Sequence, residues 1–298
     1  MRFHQAVAFL PTSEIVALAG ASEELGYDGV YLSDHLFNAR DLRSRYAYST
    51  SPDGSPYWAK ETEWPDPMVL ISHLAALTSG IVFTTGIYVA PVRDLVTVAK
   101  TVGTAAVLSA NRVRLGVGVG WCAEEYAATG QDFHTRGRRL DEMIVALRRL
   151  WSGGWVEHHG TYYNIPACQM NPAPTQPVPI YGGGDSDAAL RRAAELCDGW
   201  LTTGACTPEE ASGQLARVRQ ALARAGRLGS PFDTYLALKV TPSVDVYKGF
   251  ADEGVTDMLC APWMSASVSP EDSPESRLKK RMEASERFAE EILEKMDR

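Results

Sequence analysis

Short apolar runs alternate along the chain with segments whose apolar residues recur every three or four positions. The first pattern predicts buried strands and the second amphipathic helices. HQAVAFL (4–10), GVYLSD (29–34), GIVFTTGIYVA (80–90) and NRVRLGVGVG (111–120) read as the first four strands. VPIYGG (178–183), DGWLTTG (198–204), DTYLALKV (233–240) and VTDMLCAP (255–262) read as the last four. Helical periods fill 12–26, 66–79, 93–109, 137–151, 186–197, 207–226, 243–254 and 273–296. In the first of these, Ile15, Leu18, Ser22 and Leu25 share a face, Thr12 or Ser13 is placed to cap the start, and Gly26 to end it. Leu140, Met143, Ile144, Leu147 and Trp151 form the clearest buried stripe.

Strict alternation of strand and helix implies a parallel sheet with helices outside. Eight such units predict an α/β fold closed into a (β/α)8 TIM barrel, favoured over an open doubly wound sheet. The whole chain, 1–298, is then one domain. Two stretches without a period, about 35–65 and 152–177, are expected as insertion segments at the C-terminal face, the second extended by its four prolines.

Composition narrows the partners. A net charge of -8 argues against nucleic acid or an anionic membrane surface. Five cysteines without a CxxC pair suggest a reducing compartment, and the N-terminus is too short and polar for a signal peptide. No apolar run approaches the length of a membrane span. A cytoplasmic protein acting on a small molecule is expected.

Barrel chemistry gathers where strands end. The second strand ends in Ser33-Asp34-His35, an acid–imidazole pair suited to proton transfer. The third ends in Thr85-Gly86-Ile87, where a glycine signals a bulge or a close backbone approach. The fourth carries Gly116, Gly118 and Gly120 at a spacing of two, on one face, which fails the GxGxxG fingerprint. Glycines facing inward would leave a bare floor for a planar ring, with Trp121 as a wall and Glu124 and Glu125 on a solvated turn. After the fifth strand, Gly182-Gly183-Gly184-Asp185-Ser186 opens a helix, the arrangement that cups a phosphate on free amides; Asp185 or Ser186 could also cap that helix. Neither HExxH nor a nucleophile elbow occurs, and His158-His159 point apart, so no metal site is expected.

On GYDGVYLSDHL, DPMVLISHLAALTSGIVFTTGIYVAPVRDLVTVAK, NRVRLGVGVGWCAEEYAATGQDFHTRGRRLDEMI and VPIYGGGDSDAALRRAAELCDGW, the chain resembles the bacterial luciferase-like superfamily. It looks most like the branch using the deazaflavin coenzyme F420, over Gln5 to about Met264. The resemblance implies a ring across the barrel mouth, backed by a non-proline cis peptide at Gly86-Ile87. It implies His35 beside the reactive ring, Gly118 and Gly120 under it, and the phosphate on Gly182 to Ser186. It also implies a homodimer. Related sugar-phosphate dehydrogenases carry an acid directly after the strand-four glycines, where this chain has Trp121. A more apolar pocket and an apolar or aromatic substrate are therefore expected. The activity implied is hydride transfer with F420, with Asp34 tuning His35 and segments 37–64 and 153–177 acting as lids. An FMN-dependent monooxygenase is the alternative enzyme, and a non-catalytic flavin carrier the alternative of another class.

Overall fold

The computed structural model describes residues 1–296. Its elements in chain order are β1 (Arg2–Ala6), α1 (Thr12–Glu24), β2 (Gly29–Leu32), α2 (Pro67–Leu77), β3 (Val82–Thr85), α3 (Leu95–Leu108), β4 (Val113–Val117) and α4 (Ala123–Ala128). There follow α5 (Arg136–Leu150), β5 (Val156–His159), β6 (Asn164–Cys168), β7 (Ile180–Gly183), α6 (Asp187–Leu196) and β8 (Gly199–Leu201). The chain continues through α7 (Pro208–Arg224), β9 (Asp233–Ala237), α8 (Val244–Asp252), β10 (Asp257–Cys260) and α9 (Pro274–Glu291). Eight strands close into a barrel in the order β1-β10-β9-β8-β7-β4-β3-β2, each pair parallel. The (β/α)8 fold is thus the one the alternation predicts. No helix among the described residues is long and apolar enough to cross a membrane.

Alternation along each strand sorts side chains into two cores. Outward residues such as Phe3, Phe83, Leu115, Ile180, Leu236 and Met258 pack beneath the helices. Inward, Tyr31, Tyr181, Leu201 and Tyr235 form a separate cluster, with Ala6, Ile87 and Leu259 partly buried against it. Beneath these, charges close the N-terminal end. His4 Nε2 lies 2.6 Å from Asp257 Oδ1, Arg2 bridges Asp257 at 2.7 Å and Asp233 at 2.8 Å, and Tyr181 donates to Asp233 at 2.8 Å. The barrel interior is therefore filled below its C-terminal mouth.

Helix starts follow from capping. Asp66 Oδ1 accepts from the N–H groups of Met68 and Val69 at 2.9 and 3.1 Å, with Pro67 in the first turn. Thr207 and Glu210 form a capping box on α7. Gly26, at a φ of 81°, ends α1 as expected, but the side-chain cap at its start is not made. Thr12 instead gives its N–H to Glu63 at 2.8 Å, and its hydroxyl goes to the same carboxylate, tying the long segment to α1.

Two other expectations are corrected. The stretch 152–177 is not wholly irregular: β5 and β6 pair antiparallel, and Glu142 of α5 holds their turn by accepting from the N–H groups of Thr161, Tyr162 and Tyr163. Its buried His158 Nε2 lies 3.2 Å from that same Glu142, while His159 faces out. The first strand ends at Ala6 rather than Leu10, because Phe9 takes a φ of 69° that no strand tolerates.

At Gly116 a Cβ would stand 1.9 Å from the Thr85 carbonyl oxygen and 2.3 Å from Leu201 Cδ1. Gly116→Ala is expected to destabilise the barrel by about 2–3 kcal/mol or more through overpacking. Urea unfolding reads this directly; an unchanged midpoint would contradict the close approach of β3 and β4.

Candidate active site

The bulge after β3 organises the mouth. The Gly86-Ile87 peptide is cis. Gly86 N–H donates to Leu32 O at 2.6 Å, Tyr88 N–H to Gly116 O at 2.7 Å, and Gly118 N–H to Tyr88 O at 3.2 Å. A Cβ on Gly86 would fall 1.6 Å from Tyr31 Cζ, so the tyrosine ring fills the space beneath the bulge. Thr85 is fully buried, and its hydroxyl donates to Gly116 O at 2.8 Å. It secures the bulge instead of facing a ligand, which corrects its reading as a cofactor contact.

The bare floor expected over Gly118 and Gly120 is also corrected. A Cβ on Gly118 would meet Ile87 Cδ1 at 2.4 Å, and one on Gly120 would meet Val89 Cγ1 at 2.7 Å. The space these glycines vacate is filled by the bulge. Gly183 does the same from the other side, its missing Cβ lying 2.4 Å from Ile87 Cγ2. Ile87 is thus seated between two glycines and stays partly exposed, with Ala6 and Leu259, at the mouth. The surface a ring could rest on is this apolar side-chain floor.

Asp34 and His35 part company. Asp34 is buried and accepts from Val89 N–H at 2.8 Å and from both Arg93 guanidinium nitrogens at 2.7 and 2.9 Å. Arg93 lies 4.2 Å over the Tyr88 ring. Asp34 therefore anchors the bulge and does not tune His35. The imidazole pairs instead with Glu125, Nδ1 to Oε1 at 2.9 Å, and the same Oε1 accepts from Leu36 N–H at 2.8 Å. Glu125, read as part of a solvated turn, is 2% exposed. A carboxylate at Nδ1 fixes the proton there and leaves Nε2 for chemistry.

Three indoles box His35, with centroids at 5.6 Å for Trp58, 4.9 Å for Trp64 and 5.6 Å for Trp121. Tyr46 continues the wall at 5.2 Å from Trp121, and Phe9 stacks on Trp58 at 5.7 Å. Trp121 stands where a wall was expected. Trp58, Trp64, Tyr46, Phe9, Glu125 and Arg93 were not legible as site residues. The one signal was the density of aromatics in a polar segment, 46–64, at the catalytic face.

That segment is clasped by the other acid. Glu124 Oε1 accepts from the N–H groups of Arg43 at 2.7 Å and Ser44 at 3.1 Å, and Ser44 Oγ accepts from Ala123 N–H at 2.9 Å. Burial opposes ionisation of Glu124, but hydrogen bonds from Ser44 and Arg43 outweigh it and hold the carboxyl at about 2.

In the turn after β7, Ser186 Oγ accepts from Ala189 N–H at 3.2 Å and caps α6. Asp187 and Ala188 open the helix, so their amides have no intrahelical acceptor. Gly182 and Gly184 let α6 close on the strand: their Cβ positions would lie 2.8 Å from Ala193 and from Ala189. Trp200 Nε1 donates to Gly184 O at 2.9 Å and fixes the turn.

A closed parallel barrel with a bulged third strand, an imidazole at the end of the second and a capped, glycine-bearing turn after the fifth barrel strand defines the luciferase-like class. The chain belongs to the luciferase-like monooxygenase family, whose model matches residues 4–290. An uncharacterized protein of Mycobacterium tuberculosis is 36% identical over 296 residues, covering 99% of this chain and 100% of its own. An F420-dependent glucose-6-phosphate dehydrogenase of Microbacterium testaceum is 29% identical over 233 residues, covering 77% of this chain and 64% of that protein. Among solved structures, an F420-dependent secondary alcohol dehydrogenase in complex with an F420-acetone adduct superposes with a TM-score of 0.74 at 15% identity, covering 99% of both chains. Monooxygenase RslO1 from Streptomyces bottropensis gives 0.71 at 18% identity, again over 99% of both. At these identities the structural likeness shows the fold.

Two predictions follow from the anchors. Removing Asp34 leaves Arg93 buried without its partner, so Asp34→Ala should cost about 3–5 kcal/mol in urea unfolding; a loss under 1 kcal/mol would contradict the anchor. The Glu124 clasp, its carboxyl depressed below the ordinary 4.5, is complete above that value and lost as pH falls toward about 2. At pH 8, where the clasp is complete, trypsin should therefore cut Glu124→Gln within 40–60 several-fold faster than wild type. Equal rates for the two proteins would contradict the clasp.

Proposed function

We propose that the protein is an oxidoreductase that passes a hydride between a deazaflavin of the F420 type and a small, uncharged, apolar or aromatic substrate. The observation that carries this reading is the His35–Glu125 pair set inside three indoles at the barrel mouth. F420-dependent enzymes among the relatives and structural neighbours support the choice of cofactor.

The residues suit a flat, phosphate-bearing group. Ile87, Ala6 and Leu259 offer a partly exposed apolar surface for the ring. The first amides of α6 and the Ser186 hydroxyl would hold the phosphate. When bound, such a cofactor supplies two electrons and a proton's nucleus as hydride.

The rest of the chemistry falls to this chain. Glu125 holds the Nδ1 proton of His35, so Nε2 gives the substrate its proton in reduction and takes it back in oxidation. Trp58, Trp64 and Trp121 keep water from that nitrogen and strengthen every polar contact inside. The Asp34–Arg93 anchor fixes the bulge that carries Ile87, the residue that would back the ring. The clasp at Glu124 keeps the segment bearing Trp58 and Trp64 over the site.

The substrate class follows from what surrounds the proton. Trp121 occupies the place of the acid in the sugar-phosphate dehydrogenases, and an indole cannot relay a proton to an alkoxide. Among the described residues no arginine lies over Trp58, Trp64 or Trp121, while Glu124, Glu125 and Asp185 stand around the mouth.

Incubating the protein with reduced F420 and uncharged cyclic enones, and following the return of the oxidised cofactor's absorbance, tests the reading. Turnover is expected with enones and not with oxidised F420 and glucose 6-phosphate. His35→Ala should lower kcat by about a hundredfold or more. Glu125→Gln should lower kcat by roughly tenfold with KM little changed, as for lost orientation. Tight FMN binding with oxygen consumption, or an unchanged kcat in His35→Ala, would overturn it.

A further inference from the structure

The turn that opens α6 holds a carboxylate among its amides and hydroxyls. Asp185 lies between Gly184, at a φ of 120°, and the capping Ser186. Its Oδ2 accepts from Thr203 Oγ1 at the end of β8, and its Oδ1 is buried with no hydrogen-bond partner. The groups facing it come from three elements. Tyr48 reaches it from the long segment and Cys206 from the β8–α7 connection, neither of them positive. Among the described residues, Arg217 of α7 is the cation that acts on it, and that guanidinium is already paired with Asp187 at 2.9 Å. Burial raises the Asp185 pKa against the opposing pull of Thr203 and Arg217, in keeping with a carboxyl short of positive neighbours.

We propose that Asp185 is a charge filter in this turn, admitting a cofactor whose phosphate is a singly charged diester and disfavouring one whose phosphate is a doubly charged monoester. The inference rests on the reading above, in which the turn receives the cofactor's phosphate. A phosphomonoester is largely a dianion at neutral pH, its second ionisation lying near ~6, whereas a diester carries one charge. A like charge a few ångströms away therefore penalises the monoester twice as heavily. F420 joins its ribityl chain to the rest of its tail through a diester, and FMN ends in a monoester. The carboxylate thus selects between the two cofactor classes that the barrel mouth alone does not distinguish.

Equilibrium titrations of riboflavin, FMN and F420, followed by quenching of tryptophan fluorescence, test this on wild type and Asp185→Asn. Wild type should bind FMN no tighter than riboflavin, the phosphate adding nothing. Asp185→Asn should tighten FMN by roughly tenfold or more, leave riboflavin unchanged and move F420 by less than about threefold. The filter is overturned if wild type already binds FMN tenfold tighter than riboflavin, or if Asp185→Asn leaves FMN unchanged or shifts all three alike. The wild-type comparison decides the matter even if the variant fails to fold. If F420 binds but FMN gains from its phosphate, the filter falls and the F420 reading stands. If none of the three binds wild type, the F420 reading fails and takes the filter with it.

Discussion

The mouth of this barrel depends on one close approach, that of residues 86–89 to β4. Gly116, Gly118 and Gly120 each give up a side chain so that Thr85, Ile87 and Val89 can occupy the space. Asp34 then ties the far end of the bulge by joining the Val89 amide to the Arg93 guanidinium. A buried carboxylate satisfied by three donors is worth keeping because any one partner alone is costly to bury. The result is an isoleucine held up at the mouth between Gly118 and Gly183, where a strand in regular register would have presented none.

Two neighbouring acids connect this floor to what covers it. Glu124 and Glu125 open the same short helix, α4, and successive side chains on a helix diverge by about 100°. One therefore faces the long segment and grips the amides of Arg43 and Ser44, while the other faces inward and orients His35. Anything that shifts α4 moves the proton-carrying imidazole and the segment bearing Trp58 and Trp64 together. One short helix thus positions both the imidazole and the segment that covers it.

The barrel was legible because its cause is local: alternating periods fix strands and helices, and eight repeats fix closure. The glycine face of the fourth strand was legible too, but not what would fill it, since Ile87 and Val89 come from a different strand through a bulge with no sequence period. The pairing of Asp34 with His35 does not survive folding. In extended chain adjacent side chains point to opposite sides, so an acid next to an imidazole is poorly placed to serve it, and Asp34 turns to Arg93. Trp58 and Trp64 lie in a segment without periodicity, and tertiary contacts such as the clasp at Glu124 and the Thr12–Glu63 tie bring them to His35. Glu125 could be told from Glu124 only by knowing which face of α4 turns inward.

The most direct test of this account is a crystal structure of the protein with oxidised F420. The account predicts the deazaflavin ring lying against Ile87, its phosphate at the start of α6, and His35 Nε2 turned toward the ring while Nδ1 stays on Glu125. A ring bound elsewhere, or His35 released from Glu125 and facing solvent in the complex, would contradict it.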